Sequence, residues 1–156
     1  MKKKLKWIFG GSIVVFVLMQ LTNPARTNPP VLSDLATTTN APSAEITALL
    51  RAACYDCHSY ETKWPAYSRI APSSWLVVSD VNEGRAHFNF SEWPTNDARI
   101  AKKLDRINEV LDYKEMPPKK YTLLHPEARL TDAQRKLIMD WTDAAASKLR
   151  DTSTDQ

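Results

Sequence analysis

The chain has two cysteines, Cys54 and Cys57, and His58 directly follows the second. C-x-x-C-H is the spacing of covalent c-type haem attachment. On a helix the three residues sit at i, i+3 and i+4 and point from one face. Two thiols can then add to the haem vinyl groups while the imidazole reaches the iron. Three other readings compete: a C-x-x-C redox disulfide, half of a zinc site, and two thiols with no joint role. A structural zinc site takes about four N or S ligands, and His58, His87 and His125 would have to supply the rest. A thioredoxin-like site should accompany a βαβ pattern, and no strand-helix-strand alternation follows the motif.

If His58 is one axial ligand, the group opposite it largely separates an electron carrier from a ligand-binding haem. Met1 and Met19 lie in the N-terminal segment, and Met139 stands beside Ile138 in a helical pattern, where a core role is expected. Met116 differs, because Glu115-Met116-Pro117-Pro118 reads as a rigid, non-helical turn. A thioether on such a turn can be placed over a haem face without distorting a helix. His87 and His125 are alternatives for the same position. Arg85 is a candidate partner for a haem propionate, since a guanidinium matches a carboxylate bidentately; a surface ion pair would use it equally well.

The elements that must position these residues read as helices. Ser43 caps a helix expected from Ala44 to His58, with Glu45 in its first turn and Ile46, Leu49, Leu50, Ala53, Cys54 and Cys57 on one stripe. A second should start after Pro72, capped by Ser73 or Ser74, and end near Gly84 with Trp75, Val78 and Val81 inward. Residues 61–72 and 85–93 read as loops. A third helix fits Asn96 to Tyr113 after Thr95 as cap, on the spacing of Ile100, Leu104, Ile107 and Leu111. The last runs from Asp132 to Leu149, with Thr131 and Gln134 as a capping box. Its buried stripe should be Leu137, Ile138, Trp141, Ala144, Ala145 and Leu149.

The formal charge is +3, and Lys2, Lys3, Lys4 and Lys6 account for four positives, which leaves about −1 for the remainder. Such a body has no basic stripe with interleaved aromatics, which excludes nucleic acid as a partner. After the lysines, an apolar run from Trp7 to Leu21 resembles an export signal. It would span only about 22 Å as helix against a hydrocarbon core of roughly 30 Å, but no A-x-A cleavage site follows, and Leu5, Thr22 and a snorkelling Lys6 lengthen it. The expectation is therefore an uncleaved single-pass transmembrane segment over residues 1–22, set in the cell inner membrane with the haem domain in the periplasm. Residues 23–42, with Pro24, Pro29, Pro30 and Pro42, read as a linker, or alternatively as an arm packed over the domain through Val31 and Leu32. The domain is expected over 43–150 and a disordered tail over 151–156.

A helix leading into C-x-x-C-H, a Met-Pro-Pro loop and a closing C-terminal helix resemble class I c-type cytochromes, whose motif histidine and loop methionine ligate iron; these map onto His58 and Met116. Glu115 departs from the glycine that often precedes the methionine there. The chain is also similar to the bacterial haem-binding domain family of small, membrane-anchored, cytochrome-like proteins. The matching elements are Pro24 to Pro30, Cys54 to His58, Trp64-Pro65, Ile70-Ala71-Pro72, Gly84-Arg85, Asn89-Phe90-Ser91-Glu92-Trp93, Met116-Pro117-Pro118, His125-Pro126 and Trp141. The resemblance implies one covalent haem c in the cell envelope. The expected fold is all-α, a cytochrome c-like bundle of about four helices around the haem. The expected function is single-electron transfer to a transient redox protein partner, without enzymatic activity, and Trp64, Tyr67, Trp75 and Trp93 keep the haem dry. A gas sensor or a peroxidase-like enzyme, each with an open sixth position, is the alternative.

Overall fold

In the computed structural model the described residues are 2–33, 35, 38 and 40–154. They form seven α-helices, namely α1 (Lys2–Gln20), α2 (Ala44–Ala53), α3 (Tyr55–His58), α4 (Ser73–His87), α5 (Asp97–Asp112), α6 (Lys119–Leu124) and α7 (Asp132–Thr154). Two 3-10 turns, Ala66–Arg69 and Pro126–Ala128, complete the set. Among the described residues the architecture is all-helical, with a single isolated bridge between Ser33 and Glu92 in place of any sheet.

The core follows from the periodicity of α2, α5 and α7. On α5, Ile100, Leu104, Ile107 and Leu111 are all buried, with Ala101 beside them. On α7 the stripe is Ile138, Ala145, Ala146 and Leu149, with Trp141 partly covered. Ala144, expected inward, is exposed, and Thr142 takes a buried place because its hydroxyl donates to the Met139 carbonyl at 2.8 Å. These two helices pack most extensively against each other, and Leu50 and Ile46 of α2 complete the interior. Each such side chain contributes on the order of 1.5–3 kcal/mol. The Thr131–Gln134 capping box forms as expected, with the Thr131 hydroxyl accepting from the Gln134 N–H at 3.2 Å and Gln134 Oε1 accepting from the Thr131 N–H at 2.9 Å. The cap of α5 is Asn96 rather than Thr95, and α7 runs on to Thr154, through the first part of the expected tail.

The N-terminal expectation is corrected. No helix among the described residues is long and apolar enough to cross a membrane. In α1, Lys2, Lys3, Lys4 and Lys6 occupy the first turns, and the helix stops at Gln20. The uncharged stretch before Gln20 rises only about 20 Å, well short of a bilayer core of about 30 Å. Thr22 does not prolong it: the chain turns there, and the Gln20 side chain is bound in two directions to the Ala71 backbone, accepting at 2.9 Å and donating at 3.3 Å. A single-pass inner-membrane anchor is thus not what this helix forms.

Residues 23–33 lie along the domain rather than leading away from it. Arg26 donates to the Ser68 carbonyl and Asn28 to that of Thr62, while the Leu32 and Ser33 N–H groups both donate to the Ser91 carbonyl. Leu35, just beyond this stretch, is buried, whereas Val31 and Leu32 within it are exposed. Trp75, expected inward on α4, is partly exposed and donates its indole N–H to the Thr22 carbonyl at 3.1 Å, just before this arm begins.

Candidate functional site

The C-x-x-C-H segment is not one continuous helix. Cys54 leaves helical geometry, at φ −127° and ψ −39°, and separates α2 from α3. The turn survives because the Cys54 carbonyl accepts from both Cys57 and His58 N–H groups, at 3.2 and 2.9 Å. Two thiols and an imidazole therefore still issue from one turn. They open onto a cleft of about 520 Å³ between α3 and α4 on one side and α5, the Met116 turn and α6 on the other. Such a volume lies within the range of ligand pockets. Its walls are largely apolar, with Phe88, Phe90, Ile107, Val110 and Leu111 among them, and Met116 lines it together with Cys54, Cys57 and His58.

His58 is oriented by the segment after α4. Its Nδ1 lies 3.0 Å from the Phe88 carbonyl, an acceptor only, so Nδ1 carries the proton and Nε2 is left with its lone pair. Fixing one ring nitrogen in this way sets which nitrogen a metal takes. The same segment holds the backbone, since the Phe90 N–H donates to the His58 carbonyl at 2.7 Å. Burial pushes the His58 pKa down against the hydrogen bonds that raise it, which favours the neutral, ligating imidazole. The Asn89-Phe90-Ser91 stretch earns its place here: all three are buried, and the Ser91 hydroxyl accepts from the Tyr60 N–H at 2.9 Å.

Both thiols are half-buried and unpaired by disulfide. Burial, reinforced by Cys57, pushes the Cys54 thiol up to about 12, and burial followed by Asp80 and Asp56 takes Cys57 to about 11. A redox C-x-x-C has the opposite character, a depressed thiol pKa. No group of three or more His, Cys, Asp or Glu suited to a metal ion occurs among the described residues, which leaves the zinc reading without ligands.

Two features of this site carry no local signal in the sequence. Gly84, expected near the end of its helix, lies within α4, which continues to His87. A Cβ at Gly84 would lie 2.6 Å from the Cys57 carbonyl oxygen, so only glycine lets α4 approach the C-x-x-C-H turn. Asp56, between the cysteines, takes the Tyr121 hydroxyl at 2.8 Å and the Lys63 N–H at 2.9 Å, while its carbonyl takes the Thr62 hydroxyl. The motif's own spacer thus fastens α6 and the following loop to the site.

Arg85 is placed elsewhere than expected. Its guanidinium donates to the Ser59 carbonyl at 2.8 Å, the Thr27 carbonyl at 2.9 Å, Asn28 Oδ1 at 3.1 Å and Thr62 Oγ1 at 2.9 Å. It lies over the Tyr60 ring and does not line the cleft. With most of its donors engaged by protein groups, it clasps the N-terminal arm. Trp64, Tyr67, Trp75 and Trp93 are likewise absent from the cleft wall; Phe88, Phe90 and Tyr121 supply its aromatic surface. His87 does line the cleft, from the exposed end of α4. His125 is held apart from it, stacked on Tyr121, with Nδ1 at 3.0 Å from Glu127 and Nε2 at 2.7 Å from the Tyr67 hydroxyl.

The donor set suits an iron porphyrin: an imidazole with Nε2 free, a thioether, two thiols and a cleft with largely apolar walls. Comparison with known proteins agrees. Over 94 residues, 56% of this chain, the sequence is 32% identical to the cytochrome c peroxidase Ccp of Escherichia coli (strain K12), and it spans 20% of that protein's length. No solved structure matches the chain. The haem-binding domain pattern matches residues 14–144, a span that takes in every residue lining the cleft, and the chain belongs to that family.

Proposed function

We propose that this domain holds one haem covalently through Cys54 and Cys57, with His58 and Met116 as the two axial ligands, and that it passes single electrons to a transient protein partner without transforming a substrate. The observation that supports this reading best is the cleft itself, onto which both thiols, the imidazole and the thioether open together. Haem supplies an iron that takes up and releases one electron. The rest belongs to the chain. His58 is held in one tautomer by the Phe88 carbonyl, the Met116 turn forms the opposite wall, and the largely apolar lining surrounds the group, which together tune the potential.

A second reading, haem chemistry on peroxide, draws on the similarity to a cytochrome c peroxidase and on His87 and Glu83, which line the same cleft. It needs an open sixth position. The test is a haem stain on a denaturing gel with oxidised and dithionite-reduced spectra, alone and with carbon monoxide. Covalent stain, sharp reduced bands, no carbon monoxide shift, and loss of a methionine-sulfur charge-transfer band in Met116→Ala are expected. Stain with a rapid carbon monoxide shift favours the second reading, and no stain ends the covalent proposal.

A further inference from the structure

We infer that Arg135 is a positioning residue for Met116, holding the turn that presents the thioether to the cleft and so governing how firmly the sixth position is closed. The inference rests on Met116 being an axial ligand.

The Met116 turn has few ties of its own. It leaves α5 through Lys114, a residue at φ 56°, and the N–H groups of Glu115 and Met116 share one acceptor, the Val110 carbonyl, at 3.0 and 3.2 Å. Pro117 and Pro118 follow and have no N–H to donate. On the other side stands α7. Arg135 Nη1 donates to the Met116 carbonyl at 2.6 Å, a charged donor on a neutral acceptor and hence a stronger bond than the amide pairs beside it. The neighbouring Lys114–Asp132 pair, at 2.8 Å, joins the same turn to α7 but is exposed on both sides and contributes little.

Arg135 is itself well placed to be rigid. It is half-buried, one helical turn after the Thr131 cap, its N–H donates to the Thr131 carbonyl at 2.9 Å, and Ile138, three residues on, is fully buried against α5. The guanidinium therefore transmits the position of the core helix pair to the backbone of the ligand residue. Without it, the turn keeps its two bonds to Val110 and, toward α7, only the exposed Lys114–Asp132 pair, and the thioether can leave the iron more often.

The test compares Arg135→Ala, Arg135→Gln and Met116→Ala in the full haem-loaded chain. The readouts are the methionine-sulfur charge-transfer band of the oxidised protein and the apparent carbon monoxide affinity of the reduced protein. Met116→Ala should lose the band and bind carbon monoxide readily. Arg135→Ala should weaken the band and raise the apparent carbon monoxide affinity roughly ten- to hundred-fold, the ratio that loss of a charged hydrogen bond produces. Arg135→Gln, which keeps a donor without the charge, should fall between parent and Ala and carries the test if Arg135→Ala does not fold. Parental band and affinity in the Arg135 variants, even with a lowered melting temperature, overturn the inference while leaving Met116 as the ligand. An unchanged band in Met116→Ala overturns both.

Discussion

Gly84→Ala is the most informative single substitution, because the sequence and the structure pull in opposite directions. In a helix interior alanine is favoured over glycine by about 0.8–1 kcal/mol, so α4 alone should gain. The structure opposes this: the new Cβ would lie 2.6 Å from the Cys57 carbonyl oxygen, 3.1 Å from its carbon and 3.2 Å from Cys57 Cβ, where ordinary contact begins at 3.4 Å. α3 or α4 must yield by about 0.8 Å, the difference between those two oxygen distances. The obstacle is backbone and cannot rotate away, and α3 is fixed from behind by Phe88, Phe90 and Arg85 through their bonds to His58 and Ser59. Overpacking of this kind costs about 1–3 kcal/mol, and a backbone clash belongs in the upper half. After the propensity gain, the net loss is about 1–2 kcal/mol, or a fall of roughly 2–8 °C in Tm at this chain length. The assay is thermal unfolding of the haem-loaded protein followed by far-UV circular dichroism, with Gly10→Ala and Gly11→Ala as controls, since nothing lies within 4 Å of a Cβ at either. An unchanged or raised Tm for Gly84→Ala would refute the steric reasoning.

Three further outcomes follow from the structure. In the haem-free folded chain, thiols raised from 9.0 to about 12 and about 11 should react with iodoacetamide at pH 8 on the order of 100-fold or more slowly than in urea, a rate set by the thiolate fraction; equal rates would refute the effect of burial, and faster reaction in the folded chain would restore the redox-disulfide reading. The same shifts mean that between pH 9 and pH 11 the folded chain keeps protons that the unfolded chain has lost. Their stabilising effect is therefore complete below pH 9 and lost as pH rises through the folded values, so denaturation midpoints should drop in that window. Arg85→Ala should leave the haem stain and spectra unchanged while speeding proteolysis within residues 23–33 about ten- to hundred-fold, as local opening of the arm becomes easier. Loss of haem instead would return Arg85 to the propionate.

The family and the C-x-x-C-H turn were legible in the sequence because such motifs depend on local spacing. Cys54, Cys57 and His58 lie within one turn, so their common direction is a property of five consecutive residues, and the break in helix at Cys54 does not alter it. The stripes of α5 and α7 were likewise readable, since burial of a 3.6-residue repeat needs only a partner surface. What local spacing could not supply was knowledge of a neighbour. The bonds of Arg85 to Thr27 and Asn28 exist only because the folded arm brings those residues to it. The N-terminal apolar run looked long enough until the helix ended at Gln20, where that side chain binds Ala71.

By itself, then, the sequence determined the helical class, the attachment motif and the methionine turn, because each is written in residues within a few positions of one another. Only the tertiary structure decided the tautomer of His58, the reason for Gly84, the service of Arg85 to the arm and the hold of Arg135 on Met116. Each of these is a contact between residues 19 to 58 positions apart. Sequence patterning fixes which face of a helix is buried but not which atom it meets, and hydrogen bonds and backbone clashes are decided at distances of a few tenths of an ångström.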